Sequence, residues 1–180
     1  MVVEMAAVLY FFGPAYAADV MPVLAKRWWP AFSRPVDGGR TFRGLPIFGS
    51  HKTWRGVVTG SAAGIVVYEM QAWLYGLGWL RDLAVVDYSA NHLLPGILMA
   101  VGALAGDMVK SFFKRRIGIA PGASWLGFDQ LDFFLGASLL VSAVQPLPLL
   151  PWLAVLPIVF AGDAAVCVLA YWVGLKDAPI

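Results

Sequence analysis

Residues 93–116, LLPGILMAVGALAGDMVKSFFKRR, run uncharged for fourteen positions and then place one acid and four bases in the last ten. A run of this kind reads as a membrane helix ending in a charged interface, since about 20 mostly apolar residues cross a bilayer. Working outward, apolar stretches at about 3–25, 56–80, 91–113, 131–149 and 151–174 are each long enough to span. The last two are parted by QPLPLLP (145–151), where proline cannot continue a helix. The 180 residues are 60% hydrophobic and 13% charged, with mean hydropathy +0.73. A soluble domain is about 45–50% apolar and about 25% charged. The expected fold is therefore an all-α polytopic membrane protein with five transmembrane helices, forming one domain over 1–180.

Net charge is only +2, but the charges are clustered. Lys26, Arg27, Arg34, Arg40, Arg43, Lys52 and Arg55 fill the first loop, about 26–55, and Lys110, Lys114, Arg115 and Arg116 flank the third, about 114–130. Lys176 lies in the tail, whereas the second loop has Arg81 offset by Asp82 and Asp87. The bias of Lys and Arg toward the cytoplasm then puts the odd loops and the C-terminus inside and the N-terminus outside. No basic stretch precedes the first apolar run, and Lys26 and Arg27 follow it, which predicts a retained span. The first loop is long but holds Trp28, Trp29, Phe32, Phe42, Phe48 and Trp54, so order is expected there. The lone Cys167 excludes an intrachain disulfide and reads as a small buried hydrophobe. Basic loops held against a membrane suggest no nucleic-acid role.

On a helix, Asp107, Lys110, Ser111 and Lys114 stand at i, i+3, i+4 and i+7 and share one face. Arg115 is at its edge and Arg116 points the other way. Asp129 and Asp132 are i and i+3 at the start of the next span, with Gly136 continuing that face for close packing. Two hairpin-linked helices would thus bring three carboxylates and several cations to one interface. Carboxylate oxygens suit Mg²⁺, Lys and Arg suit phosphates, and charge neutralisation with positioning is most of what phosphoryl-type transfer demands. A solvated basic rim would account for Arg115 and Arg116, and helix capping for Asp129 and Asp132. Neither accounts for Asp107, because a carboxylate two turns inside a span is expensive and marks a functional position. A second constellation, GSHKTWRG (49–56), offers backbone donors before a helix together with Lys52 and Arg55, without Walker spacing. Asp19, Glu69 and Asp163 lie within spans and are expected to pair internally or line a polar cavity. Asn91 and His92 are expected to cap the third span.

The pattern Gly106-Asp107-x-x-Lys110-Ser111-x-x-Lys114-Arg115-Arg116 followed by Asp129-Gln130-x-Asp132 resembles the CDP-archaeol synthases. These are archaeal CTP-dependent cytidylyltransferases of ether-lipid synthesis, related to the phosphatidate cytidylyltransferases. Further matches are PAYAADVMP (14–22), DGGR (37–40) and the 49–56 segment, so the resemblance runs from the first span to the fourth. The chain departs from that family at Asp19, where Asn is usual, and near Ser50 and His51, where an acid or amide is usual. The resemblance implies that the phosphate of 2,3-di-O-geranylgeranylglyceryl phosphate attacks the α-phosphate of CTP, with Mg²⁺, giving CDP-archaeol and pyrophosphate. It implies that Asp107, Asp129 and Asp132 hold metal and that Lys52, Arg55, Lys110, Lys114 and Arg115 hold phosphates. It further implies that Thr53 and Ser111 join the nucleotide contacts and that Arg43 and Pro46 read the cytosine. Rival readings are a diacyl phosphatidate cytidylyltransferase, a small anion transporter and a lipid-binding scaffold.

Overall fold

The computed structural model describes residues 1–90, 93–120 and 123–174; Asn91, His92, Pro121, Gly122 and Lys176 lie outside them. The first apolar stretch is two helices rather than one, α1 (Val2–Phe11) and α2 (Gly13–Trp28), bent by 47°. Pro14 at the start of α2 causes the break, since it has no N–H to continue the ladder of α1. Lys26 and Arg27 close α2, where cations meet the negative end of the helix dipole.

A short antiparallel hairpin follows, β1 (Thr41–Phe42) with β2 (Leu45–Pro46), in the register Thr41↔Pro46 and Phe42↔Leu45. Its turn residues Arg43 and Gly44 have φ of 54° and 77°. Positive φ at both positions is what a two-residue hairpin turn requires. The first loop is ordered as expected: Val36 N–H donates to Lys52 O (2.8 Å) and Trp54 N–H to Arg34 O (3.0 Å). Thr53 then caps α3 (Trp54–Gly76), its Oγ1 accepting from Gly56 N–H at 3.3 Å.

α3 has the length of a span, about 34 Å at 1.5 Å per residue, but it is interrupted by Arg55, Thr59, Ser61, Glu69 and Gln71. α4 (Leu94–Arg116) and α6 (Leu149–Trp172) are each long and apolar enough to cross a membrane, and the α1–α2 pair is so if taken together. The expected span at 131–149 is corrected: only α5 (Asp132–Val141) is helical there. Ten residues make about 15 Å, half the hydrocarbon thickness. The chain leaves α5 through turns ahead of Pro146 and Pro148, which bias their predecessors away from the helical region.

The core joins Phe11, Phe12, Ala15 and Ala18 of the first pair to Met99, Ala100 and Ala103 of α4 and to Phe133, Phe134 and Ala137 of α5. Small residues let the backbones close. A Cβ at Gly60 would stand 2.6 Å from Ala18 O, and one at Gly64 2.6 Å from Ala100 Cβ. The outward faces carry exposed Val66, Trp73, Val109, Leu139 and Leu169, as a lipid-facing surface does.

Candidate active site

The end of α4, the start of α5, the start of α3 and the end of α2 meet at one end of the bundle. The α4–α5 contact sets the distances there. A Cβ at Gly102 would lie 2.5 Å from Gly136 O, and one at Gly106 would strike Asp132 O. Main chain therefore touches main chain, and Asp132 sits directly across from the turn that carries Asp107.

Lys110 is the hub of this region. Its Nζ lies 3.0 Å from Asp107 Oδ1, 3.2 Å from Asp129 Oδ1 and 2.8 Å from Asp132 Oδ2. Lys52, arriving from the first loop, pairs with Asp107 Oδ2. Lys114 Nζ reaches both oxygens of Asp129 at 3.0 Å. Three carboxylates thus face three ammonium groups, and the opposite charges sit close enough to offset much of their desolvation. Asp129 also accepts from Trp125 N–H at 2.6 Å, and buried Gln130 holds the same turn by accepting from Gly127 N–H at 2.7 Å. Burial raises the Asp129 pKa, but Lys110, the Trp125 N–H and Lys114 outweigh it and hold the carboxyl below the ordinary carboxylate range.

Asp132 differs from its neighbours. Lys110 is close to it but off the angle of a hydrogen bond, and both carboxylate oxygens are buried without a hydrogen-bond partner. Carboxylate oxygens that accept no hydrogen bond, beside two further carboxylates, are a donor set that suits a hard cation. Among the described residues no group of three acidic, His or Cys side chains is already arranged as a chelating cage. Lys110 occupies the point on which the carboxylates converge. Asp19 of α2, expected to pair internally or line a cavity, lies within electrostatic reach of Asp107, Lys110 and Lys52, and of Asp163 in α6.

The other candidates fall around this hub. Ser111 is buried on the same face of α4. Arg115 is 8% exposed, with Nη2 donating to Ala120 O at 3.2 Å and with Nε and Nη1 buried and unpartnered. Arg55 is tied elsewhere: its Nη1 donates to Trp29 O (2.6 Å) at the end of α2, while Nε stays unpartnered. Arg43 and Pro46 are exposed on the hairpin. Glu69 is corrected, because it lies on the exposed face of α3 rather than inside. Cys167 is buried as expected, its Sγ 3.5 Å from Asp163 Oδ2.

Two residues without an assigned role prove structural. Asp37 accepts from Gly39 N–H (2.9 Å), Phe48 N–H (2.9 Å) and Gly49 N–H (3.1 Å), folding the first loop around one carboxylate. The Asp-Gly-Gly run was its available signal, since Asp before Gly marks a side-chain-closed turn. Arg116 does not point into solvent but binds the hairpin.

Fold and site together define a helical membrane protein with a cluster of carboxylates, lysines and arginines gathered at one end. The whole chain, residues 1–180, matches the model of the CarS-like family, CDP-archaeol synthase. It is 40% identical over 155 residues to CDP-archaeol synthase of Methanosphaerula palustris, covering 81% of this chain and 89% of that one. It is 37% identical over 175 residues to that of Thermococcus onnurineus, covering 92% and 91%. A solved structure, described as an intramembrane enzyme for archaeal membrane lipids biosynthesis, superposes with a TM-score of 0.69 at 33% identity, covering 88% and 91%. The chain belongs to the CarS-like CDP-archaeol synthase family.

Proposed function

We infer that this protein transfers a cytidylyl group from CTP to 2,3-di-O-geranylgeranylglyceryl phosphate, yielding CDP-archaeol and pyrophosphate. The observation that carries the reading is the Lys110 hub, where three carboxylates and three lysines from α4, the α5 approach and the first loop meet at one end of a membrane bundle. Family membership supplies the substrates. The anion-transporter alternative calls for a site near the midplane, often between inverted repeats, and a hub at the bundle end does not favour it.

In the reaction an oxygen of the lipid phosphate forms a bond to the α-phosphorus of CTP. The bond from that phosphorus to the α–β bridging oxygen breaks, and its electron pair leaves with pyrophosphate. The attacking phosphate is already ionised, so no protein base is needed. Lys52, Lys110 and Lys114 neutralise the phosphates, and the free N–H groups of Arg115 and Arg55 donate to further phosphate oxygens on the loop side. Asp107, Asp129 and Asp132 would hold Mg²⁺, which when bound supplies charge neutralisation to the triphosphate. Arg43 and Pro46 are proposed to read the cytosine. An outside N-terminus and a cytoplasmic site complete the proposal, with CTP entering between the first loop and the 114–130 loop and the lipid entering from the bilayer.

The test is pyrophosphate release by purified protein in detergent, with CTP or ATP in separate reactions. Release that needs CTP, the isoprenoid lipid phosphate and Mg²⁺ is expected. Release that is equal with ATP, or independent of lipid, overturns the reading, and preference for diacyl phosphatidate replaces its lipid.

A further inference from the structure

We propose that Arg116 is a positioning residue for nucleotide binding: it clasps the 41–46 hairpin to the end of α4 and so fixes the loop that delivers Lys52. This rests on the CTP-dependent reading above.

A hairpin with two residues per strand has no stability of its own. Its order must come from contacts outside it, and Arg116 supplies them from about 70 positions away in sequence. Its Nη1 donates to Pro46 O at 2.8 Å and to Ile47 O at 3.1 Å, and also to Phe112 O at 3.2 Å within α4. The guanidinium carbon stands 3.7 Å from the Phe112 ring centroid and 5.4 Å from that of Phe42 in β1. The two rings lie 6.2 Å apart. One side chain therefore binds the second strand by its carbonyls and the first by its ring, while lying flat on its own helix. Nε and Nη2 are buried and unpartnered, so the rings and Nη1 alone hold the group.

From this clasp the chain runs only a few residues to the hub. Phe48 and Gly49 are fixed by Asp37, Lys52 N–H donates to Gly49 O at 3.3 Å, and Lys52 Nζ pairs with Asp107. Arg116 makes no polar contact with the hub lysines or carboxylates. It acts through the loop. Lysine cannot replace it, because an ammonium lacks the planar face that stacks on two rings while donating sideways.

The experiment measures KM and kcat for both substrates in wild type, Arg116→Gln, Arg116→Lys and Phe42→Leu, with amide hydrogen exchange over 40–49 on the same detergent samples. Arg116→Gln is expected to raise KM for CTP about tenfold or more, as displaced positioning groups do, while KM for the lipid stays within about twofold. Exchange over 40–49 accelerates in both Arg116 variants, and Arg116→Lys does not rescue. Phe42→Leu, which leaves α4 untouched, raises KM for CTP by a smaller factor of about three. Unchanged exchange over 40–49 in Arg116→Gln overturns the clasp. Faster exchange with an unchanged KM for CTP, or an equal rise in both KM values, overturns the nucleotide role. Wild-type protein that releases no pyrophosphate from CTP overturns the proposed function and the nucleotide role together, with the clasp still judged by exchange.

Discussion

The α4–α5 pair and α6 are both built from apolar helices but are joined to the bundle in opposite ways. Between α4 and α5, Gly102, Gly106 and Gly136 bring main chain against main chain. α6 instead packs chiefly on α1, through one buried stripe of Val155, Val159, Asp163 and Cys167, and leaves Leu149, Leu150, Leu169 and Trp172 more than 60% exposed. The charged hub lies on the first kind of contact and never on the second. A cluster of lysines and carboxylates must hold its groups to within a fraction of an ångström if it is to neutralise charge that develops only during a reaction. Backbone contact gives that rigidity, whereas long aliphatic side chains against lipid do not.

The sharpest way to break this contrast is at Asp132, whose two buried oxygens have Lys110 as an ion partner but accept no hydrogen bond. Asp132→Asn keeps the shape and removes the charge. Pyrophosphate release is expected to fall on the order of a thousandfold, the scale seen when a key electrostatic group is lost. Thermal unfolding in detergent should fall much less than activity, because Lys110 loses one of its three carboxylate partners and keeps Asp107 and Asp129. Activity within about twofold of wild type would move the reaction away from the α4–α5 pair.

A smaller but more telling loss is expected from Gly106→Ala. The added methyl meets Asp132 O, which belongs to the backbone and cannot rotate away. Overpacking of this sort costs about 1–3 kcal/mol, partly offset by the ~1 kcal/mol helical preference of Ala over Gly. The helices must part, so activity should drop about a hundredfold, more than the modest fall in melting temperature suggests. A melting loss without an activity loss would mean that the hub tolerates a wider α4–α5 spacing.

The first loop belongs to the rigid side of the comparison, and its weak point is pH. Burial raises the Asp37 pKa, but the N–H groups of Phe48, Gly39 and Gly49 outweigh it and hold the carboxyl below its ordinary range. A pKa depressed in the folded state contributes order that is present above the unfolded value, about 4, and is lost as pH falls through the folded one. Exchange at Phe48 and Gly49 should therefore quicken as pH falls below about 4, after correction for intrinsic rates. Asp37→Asn should abolish that dependence and loosen the loop at neutral pH. A pH-independent loop in wild type would show that other contacts suffice.

Legibility followed the same division. The shared face of Asp107, Lys110, Ser111 and Lys114, and that of Asp129 and Asp132, could be read because helix geometry is local and fixes i, i+3, i+4 and i+7. That Lys110 stands at the focus of all three carboxylates could not be read. It depends on the spacing between two helices, which the glycines set only once the pair has formed. Arg116 escaped for a related reason: its direction away from the hub was legible, but its partners Pro46 and Ile47 are loop carbonyls far off in sequence. Arg55 was assigned to phosphates by type, while its Nη1 contact is the carbonyl end of α2. The kink ahead of Pro14 and the short α5 reflect breaks that hydropathy averages away. Length and composition identified the membrane class, and the turns decided how each apolar stretch is used.

The smallest effect is expected on α6, and it completes the comparison. A Cβ at Gly162 would meet nothing within 4 Å, so Gly162→Ala is the same substitution as Gly106→Ala made on the loosely packed helix. It adds helical preference of up to ~1 kcal/mol and meets no backbone. Melting temperature should hold or rise slightly, and pyrophosphate release should stay within about twofold. That pairing separates the chemistry of the substitution from the contact it disturbs, because only the contact differs between the two sites. If Gly162→Ala instead cost as much as Gly106→Ala, α6 would have to be packed as closely as α5 in the working protein, and the contrast between the two regions would vanish.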